Sequence, residues 1–498
     1  MADRADGSEV VGLEGKVARG LTWTFIHTWG RQLLNLAIFV ILARLLVPDD
    51  FGLVALAAVF VNFAQLIVDQ GLGDALIQRR VMTQRHVDTA FWVALVTGLL
   101  LAVAGVLLAI PIALLLGEPD LQPVLQVLSA TFVLSALGSI QIALLKRSLD
   151  FRALALRALG GIVGGGVVGI GMAAAGFGVW SLVGQQVANG FVSLVLLWGF
   201  SPWRPGRDFS WETFRELFRF GINVLGSDVL NFMSRNVDNL LIGTFLGTRL
   251  LGFYAVAYRI LDVTEVMLIN VARKVTFPAF SRLQSDPERM RRAYLRVTRA
   301  TGAVILPGYI GLALVSTELT VTLFGQRWAP SGPVAGILFL IGPVLTLQAF
   351  SGALLNAAGH PHVVFRFRLI STIVNVIGFL IAVQVGILAV AVAFVARGYL
   401  LVPLNLAWVS RYAGVPARAM LAQMRGVALA TIVMAAAMAG VKLLAASAGA
   451  ATLLVLEAAV GAVAFGGVML LVERDLVREI VDLGRRAAFR RPARAIDP

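Results

Sequence analysis

The stretch FGLVALAAVFVNFAQLIVDQ, residues 51–70, has a counterpart in LGFYAVAYRILDVTEVMLIN, residues 251–270. Phe51-Gly52-Leu53 opens the first and Leu251-Gly252-Phe253 opens the second, and each continues as a long apolar run. Working outward, Gly20 and Gly221 each open the long helix that precedes. Further on, Ala143-Leu144-Leu145 corresponds to Ala353-Leu354-Leu355, Gly178 to Gly386 and Trp198 to Trp408. A parallel duplication in a membrane protein builds two lobes around a central cavity, which is a transporter's plan.

The chain has 498 residues, of which 58% are hydrophobic, and a mean hydropathy of +0.85, too apolar for a soluble protein of this length. Apolar runs of roughly 20 to 28 residues recur throughout, each long enough to cross a bilayer. In lipid the backbone must satisfy its own hydrogen bonds, so the runs are helices. Strict alternation is missing, which excludes an outer-membrane barrel. The expectation is an all-α polytopic membrane protein with about 14 transmembrane helices, in two parallel six-helix lobes around a central cavity plus two extra C-terminal helices. The segments are 1–19 (N-terminal, cytoplasmic), 20–205 (first lobe), 206–415 (second lobe), 416–474 (two unpaired helices) and 475–498 (basic cytoplasmic tail).

Charge sets the orientation. Most of the 42 Lys and Arg residues fall at the termini and in the loops after even-numbered spans. The opposite loops carry Arg44, Arg249, Arg327 and Lys442. That asymmetry predicts both termini in the cytoplasm and an even span count. It also accounts for the net charge of +14 without nucleic acid. Zero cysteines exclude disulfides, thiolate metal sites and cysteine nucleophiles. No metal site is expected, because His360 and His362 flank a proline in a loop. The first apolar run is full length without a cleavage site, so it reads as a span and not a signal peptide. The linker Ser201-Pro202-Trp203-Arg204-Pro205-Gly206 reads as a hinge between lobes. Gly160, Gly161, Gly164, Gly165, Gly166, Gly169 and Gly171 make span five a close-packing helix. They are a poor nucleotide loop, having no preceding strand and no Lys-Ser/Thr pair.

Ionisable groups inside spans are costly and point to function. Span one carries His27, Arg31 and Asn35 at a spacing of four, on one face. Span two carries Asn62, Gln65 and Asp69, and span seven Asp228, Asn231, Arg235, Asp238 and Asn239. Span eight carries Tyr254, Tyr258, Asp262 and Glu265 with Arg259 beside them, and span twelve adds Arg397. Aligning Gly52 with Gly252 sets Asn62 opposite Asp262 and Gln65 opposite Glu265. Arg259 with Asp262, and Arg235 with Asp238, read equally well as structural ion pairs. Glu457, alone in span fourteen, reads equally as packing, lipid-headgroup contact or transport. Fixed cations at mid-depth favour an anion, and arginine offers multidentate hydrogen bonds to phosphate. Arg31, Arg235, Arg259 and Arg397 are the expected phosphate ligands. His27, Asn35 and Asn231 add polar contacts, and Tyr254 and Tyr258 offer rings for sugar stacking. Asp69, Asp228, Asp262 and Glu265 are candidates for a coupling ion, H⁺ or Na⁺; no other cofactor is expected.

Three motifs carry a family resemblance. They are Gly20-Leu21-Thr22-Trp23, then Ala43-Arg44-Leu45-Leu46-Val47-Pro48-Asp49-Asp50-Phe51-Gly52-Leu53, then Asp69-Gln70-Gly71-Leu72-Gly73-Asp74-Ala75-Leu76-Ile77-Gln78. In these the chain resembles the Wzx-type polysaccharide flippases, closest to the colanic acid and teichuronic acid export branch. That family lies in the multidrug/oligosaccharidyl-lipid/polysaccharide exporter superfamily. The resemblance implies translocation of undecaprenyl-diphosphate-linked oligosaccharide to the outer leaflet of a bacterial inner membrane, by alternating access, with no catalysis. Expected partners are that lipid-linked substrate and a polysaccharide polymerase or glycosyltransferase, with the chain itself monomeric. The rival readings are a multidrug cation antiporter of the same superfamily and a lipid II flippase. A membrane polymerase or ligase would need a sizeable extracytoplasmic loop, and ATP-driven transport would need a P-loop.

Overall fold

The computed structural model describes residues 29–69, 72–78, 82–270, 280–284, 286–445 and 447–478. Every regular element among them is helical. Eleven of these helices are long and apolar enough to cross a membrane. They correspond to all the expected spans except the first, seventh and eighth. The described part of the first, α1 (29–45), is short, and the other two, α9 (Trp211–Leu246) and α10 (Thr248–Glu265), are rich in charged and polar residues. The three helices outside the count are therefore those on which the sequence places much of the intramembrane polarity. After Glu265 the chain continues as one π-helical stretch, Val266–Asn270, a geometry that recurs at functional sites.

Packing separates the chain into two compact units, Met1–Ala255 and Val256–Pro498. The first contains α1, α2 (Pro48–Asp69), α3 (Leu72–Gln78), α4 (Gln84–Leu116), α5 (Leu121–Leu128), α6 (Ala130–Arg147), α7 (Phe151–Ala174), α8 (Trp180–Phe200) and α9. Expected span four is one crossing, Leu121–Arg147, with a turn at Ser129. Asp150 caps α7 by accepting the Ala153 N–H at 3.0 Å, satisfying one of the free donors of its first turn. The glycines of α7 do what their spacing predicts. Gly161, Gly165 and Gly169 recur every four residues on the face that meets α8, and a Cβ on Gly165 would lie 2.6 Å from the Gln185 carbonyl oxygen.

A second close approach joins the two repeats. A methyl group on Gly52 would overlap the backbone carbonyl of Thr248, and one on Gly252 would overlap that of Pro48. Pro48 precedes Gly52 by four residues, as Thr248 precedes Gly252. Each copy's helix start therefore sits on the other copy's glycine, the reciprocal contact that twofold symmetry requires.

The linker corrects the sequence reading, because it is strapped down and is not a free hinge. Asp88, buried at the start of α4, accepts the Gly206 N–H at 3.1 Å and the Gln84 side-chain amide at 2.9 Å. Trp92 Nε1 donates to the Gly206 carbonyl at 2.8 Å, and the Ser210 N–H donates to Thr89 Oγ1 at 3.2 Å. Arg204 folds back onto the carbonyls of Ser201 and Trp198 and over the Trp198 ring.

The second unit contains α11 (Pro287–Leu314), α12 (Ser316–Phe324), α13 (Ser331–Phe339), α14 (Gly342–Gln348), α15 (Ser351–Ala357), α16 (Pro361–Ala382), α17 (Ile387–Ala413), α18 (Ala417–Gln423), α19 (Arg425–Leu444) and α20 (Ala450–Val472). α11 begins well before the expected span, because Asp286 caps it on the Arg289 N–H and Pro287 is preset for the first turn. Its inner face carries Tyr294, whose hydroxyl meets Ser351 Oγ, which in turn donates to Asn405 at 2.9 Å. The unpaired helices α19 and α20 pack on α11 through Ala303, Leu306, Val427, Ala430 and Met469. Arg299 of α11 forms an ion pair with Glu473, just past α20.

Candidate functional site: a polar cavity in the first unit

The glycine stripe of α7 has a fourth member at its start. Arg157 lies four residues before Gly161, so its side chain leaves α7 on the face that meets α8. There it enters a cavity of about 460 Å³ bounded by α2, α6, α7 and α8, within the range of small-molecule sites. α2 contributes Asn62 and Gln65, α6 contributes Thr131, Ser135 and Ser139, and α8 contributes Gln186, Asn189 and Ser193. Among the described residues no carboxylate lines it.

The hydroxyl protons are largely occupied. Thr131 donates to the Leu128 carbonyl at 2.5 Å, Ser139 to that of Ala136 at 3.0 Å, and Ser193 to Asn189 at 3.3 Å. Their oxygens keep free lone pairs, and the carboxamides offer both donors and acceptors. Arg157 Nε is buried without a hydrogen-bond partner among the described residues, and the neighbouring charge is another cation, Arg31. An unneutralised guanidinium in a membrane-embedded, hydroxyl- and amide-lined cavity suits a hydrophilic ligand with an acidic group.

Asn62 and Gln65 stand out in the sequence as a polar stripe, whereas Arg157 sits on a helix whose glycines signal close packing. Its place four residues ahead of Gly161 was the available signal.

The other expected residues divide between the units. In the first, Arg31 is exposed on α1 and Asn35 half-buried, and Arg235 is exposed on α9. Tyr254 is wholly buried and donates its hydroxyl to Asp238 at 2.8 Å, so its ring is core and is not offered for sugar stacking. Asp238 also accepts the Asn239 N–H at 2.9 Å. In the second unit Tyr258 packs edge-on against Phe394, and Arg397 lies over the same ring and donates to Ser371 at 3.0 Å. Arg259 approaches Asp262 to 3.9 Å, and Glu265 is half-buried. His27 and the side chains of Asp69, Asp228 and Asn231 lie outside the described residues.

Residues 41–333 match the sequence profile of a family described as "Polysaccharide biosynthesis protein". The chain belongs to this family. A succinoglycan biosynthesis transport protein, ExoT of Rhizobium meliloti (strain 1021), is 29% identical over 357 residues, covering 72% of each chain. The lipopolysaccharide biosynthesis protein WzxC of Escherichia coli (strain K12) is 27% identical over 396 residues, 78% of this chain and 79% of that one. The teichuronic acid biosynthesis protein TuaB of Bacillus subtilis (strain 168) is 26% identical, covering 70% of this chain and 73% of its own. Family and relatives together place the chain among the Wzx-type flippases that its sequence motifs suggest. Among solved structures, a lipid II flippase, MurJ, superposes with a TM-score of 0.75 at 15% identity, over 92% of this chain and all of that one. An inward-facing multidrug transporter of the MOP superfamily follows at 0.62 and 16% identity, over 77% and 94%. At such identities the superposition establishes a shared fold and no more.

Proposed function

We propose that this protein is a flippase that carries a lipid-linked oligosaccharide from the cytoplasmic to the outer leaflet of a bacterial inner membrane, for surface polysaccharide assembly. The observation that carries the reading is the cavity in which Arg157 stands amid amides and hydroxyls, with no carboxylate among the described lining residues. A cation-exporting drug site needs buried carboxylates and aromatics instead. The named roles of the relatives in polysaccharide and lipopolysaccharide biosynthesis support the same cargo.

In this mechanism the arginines hold the undecaprenyl diphosphate while the sugars occupy the hydroxyl-lined surface and the polyprenyl tail stays in lipid. Arg31 and Arg157 act from the first unit. Alternating access then exposes the headgroup to the other side. Asp69, Asp228, Asp262 and Glu265 bind the H⁺ or Na⁺ that resets the carrier. Both termini lie in the cytoplasm, and no bond is made or broken by the chain.

A strain lacking the chain tests this. Lipid-linked oligosaccharide should accumulate, shielded from a glycan-modifying probe added at the periplasmic face, while surface polysaccharide falls. Wild-type gene should reverse both effects, and Arg31→Ala with Arg157→Ala should not. Unchanged polysaccharide together with altered tolerance to cationic drugs would replace the reading with the antiporter.

A further inference from the structure

A buried acidic group in the second unit plays no part in the scheme above. Helices α19 and α20 run antiparallel, and a Cβ on Gly461 of α20 would press on Met438 of α19. One turn from Gly461 toward the start of α20 is Glu457. One turn from Met438 toward the end of α19 is Lys442, so antiparallel packing brings the two to the same level. Glu318 of α12 completes the group. Lys442 Nζ lies 2.8 Å from Glu318 Oε1 and donates to the Leu314 carbonyl at 3.0 Å. Glu457 is 0% exposed, and neither of its carboxyl oxygens has a hydrogen-bond partner among the described residues. The second oxygen of Glu318 is likewise buried and unpartnered. The surroundings are apolar, with Val315, Met434 and Met438 as the core and Leu319 and Leu454 against it.

Two carboxylates therefore share one ammonium, and the ammonium is already committed to Glu318. A buried second carboxylate without a donor among the described residues is costly to leave ionised. A metal cation does not relieve it, since hard cations need a cage of oxygen ligands. The described residues contain no group of three or more His, Cys, Asp or Glu able to hold one, and Lys442 would repel it. A proton needs only an oxygen of Glu457 itself.

We propose that Glu457 is a proton-binding site, loaded in the resting protein, with Glu318 and Lys442 as its partners. Loaded, the group is neutral, with Glu457 as the acid and Glu318 paired to Lys442. Release of the proton leaves two carboxylates competing for Lys442, which loosens the tie between α12 and α19. The facing charged groups are Lys442 from α19 and Glu318 from α12; the adjoining end of α11, residues 306–314, carries none. The site stands whatever the cargo, so its test does not depend on transport.

The test is infrared difference spectroscopy on the purified full-length protein in lipid nanodiscs, stepping pH upward from neutral, with the proton itself as probe. Wild type should show the carbonyl stretch of a protonated carboxylic acid at neutral pH and lose it on alkalinisation. Glu457→Gln, which matches the neutral acid in shape, should lack that band, and Glu318→Gln, which frees Lys442 to pair with Glu457, should weaken it or bring its loss to lower pH. Where the amide is not tolerated, Glu457→Asp should shift the band. A parallel melting series checks the sign. A proton held by the folded state and not by the unfolded chain contributes stability that fades as pH rises. The wild-type melting temperature should therefore fall with alkalinisation more steeply than that of Glu457→Gln. Spectra in which wild type and Glu457→Gln lose the same band, or wild type shows no acid band at neutral pH, would overturn the proposal.

Discussion

Arg157 and Tyr254 illustrate two opposite fates of a polar residue in a membrane helix. Arg157 faces no carboxylate among the described residues of its cavity, so its value lies in what it binds. A hydrogen bond to a charged group contributes about 1.5–3 kcal/mol, so Arg157→Ala should slow export roughly 10- to 100-fold. Arg157→Lys should recover only part of the loss, because an ammonium does not reproduce the guanidinium fork. Initial rates of polysaccharide appearance in the complemented strain measure both. Tyr254 is spent inside the protein. Tyr254→Phe removes the donor to Asp238 and should destabilise the protein by about 1–3 kcal/mol, read as an earlier melt in detergent. Residue by residue, the sequence shows which side chains are polar but not which are already satisfied. Tyr254 and Tyr258 look alike in a stripe spaced by four, and only packing separates the buried donor from the ring against Phe394.

At the scale of the element, the apolar runs were legible because lipid leaves the backbone no alternative to helix. The close packing of α7 was legible because glycine spaced every four residues has one geometric meaning. What escaped was set by single polar contacts. The linker after α8 reads as a hinge from its prolines, yet Asp88, far away in sequence, holds its backbone. The early start of α11 is due to Asp286 and Pro287. Asp88→Ala should leave the Gly206 N–H unsatisfied and cost about 1–3 kcal/mol, while Asp88→Asn keeps an acceptor and should cost less. Comparison of the two melts with wild type decides whether the strap contributes to stability. Gly165→Val should be worse, since a side chain there runs into the Gln185 carbonyl and the backbone and Cβ of Asn189; overpacking of this kind costs about 1–3 kcal/mol or more, visible as reduced yield of folded protein.

Across the whole molecule, the fold class and the duplication were readable because both are properties of pattern. The cavity was not, because it is assembled from four helices whose sequence separations carry no common signal. The transport reading has an electrical consequence. Outward movement of an anionic headgroup is favoured by about 2.3 kcal/mol for each charge per 100 mV of membrane potential. Collapsing the potential with an ionophore, at fixed pH, should slow the appearance of surface glycan and leave lipid-linked precursor on the inner side; an unaltered rate would mean the translocated unit crosses with no net charge. The reciprocal crossing of Gly52 and Gly252 bears on ancestry. Before the two halves were joined in one gene, such a crossing would have been the dyad of a homodimer, where a single substitution changes both sides together. Fusion released that constraint, so each side of the dyad became free to diverge. The present chain shows that freedom, with Pro48-Asp49-Asp50 entering the crossing from one copy and Thr248-Arg249-Leu250 from the other. An axis once enforced by identity now joins an acidic strand of chain to a basic one, giving a former twofold a direction.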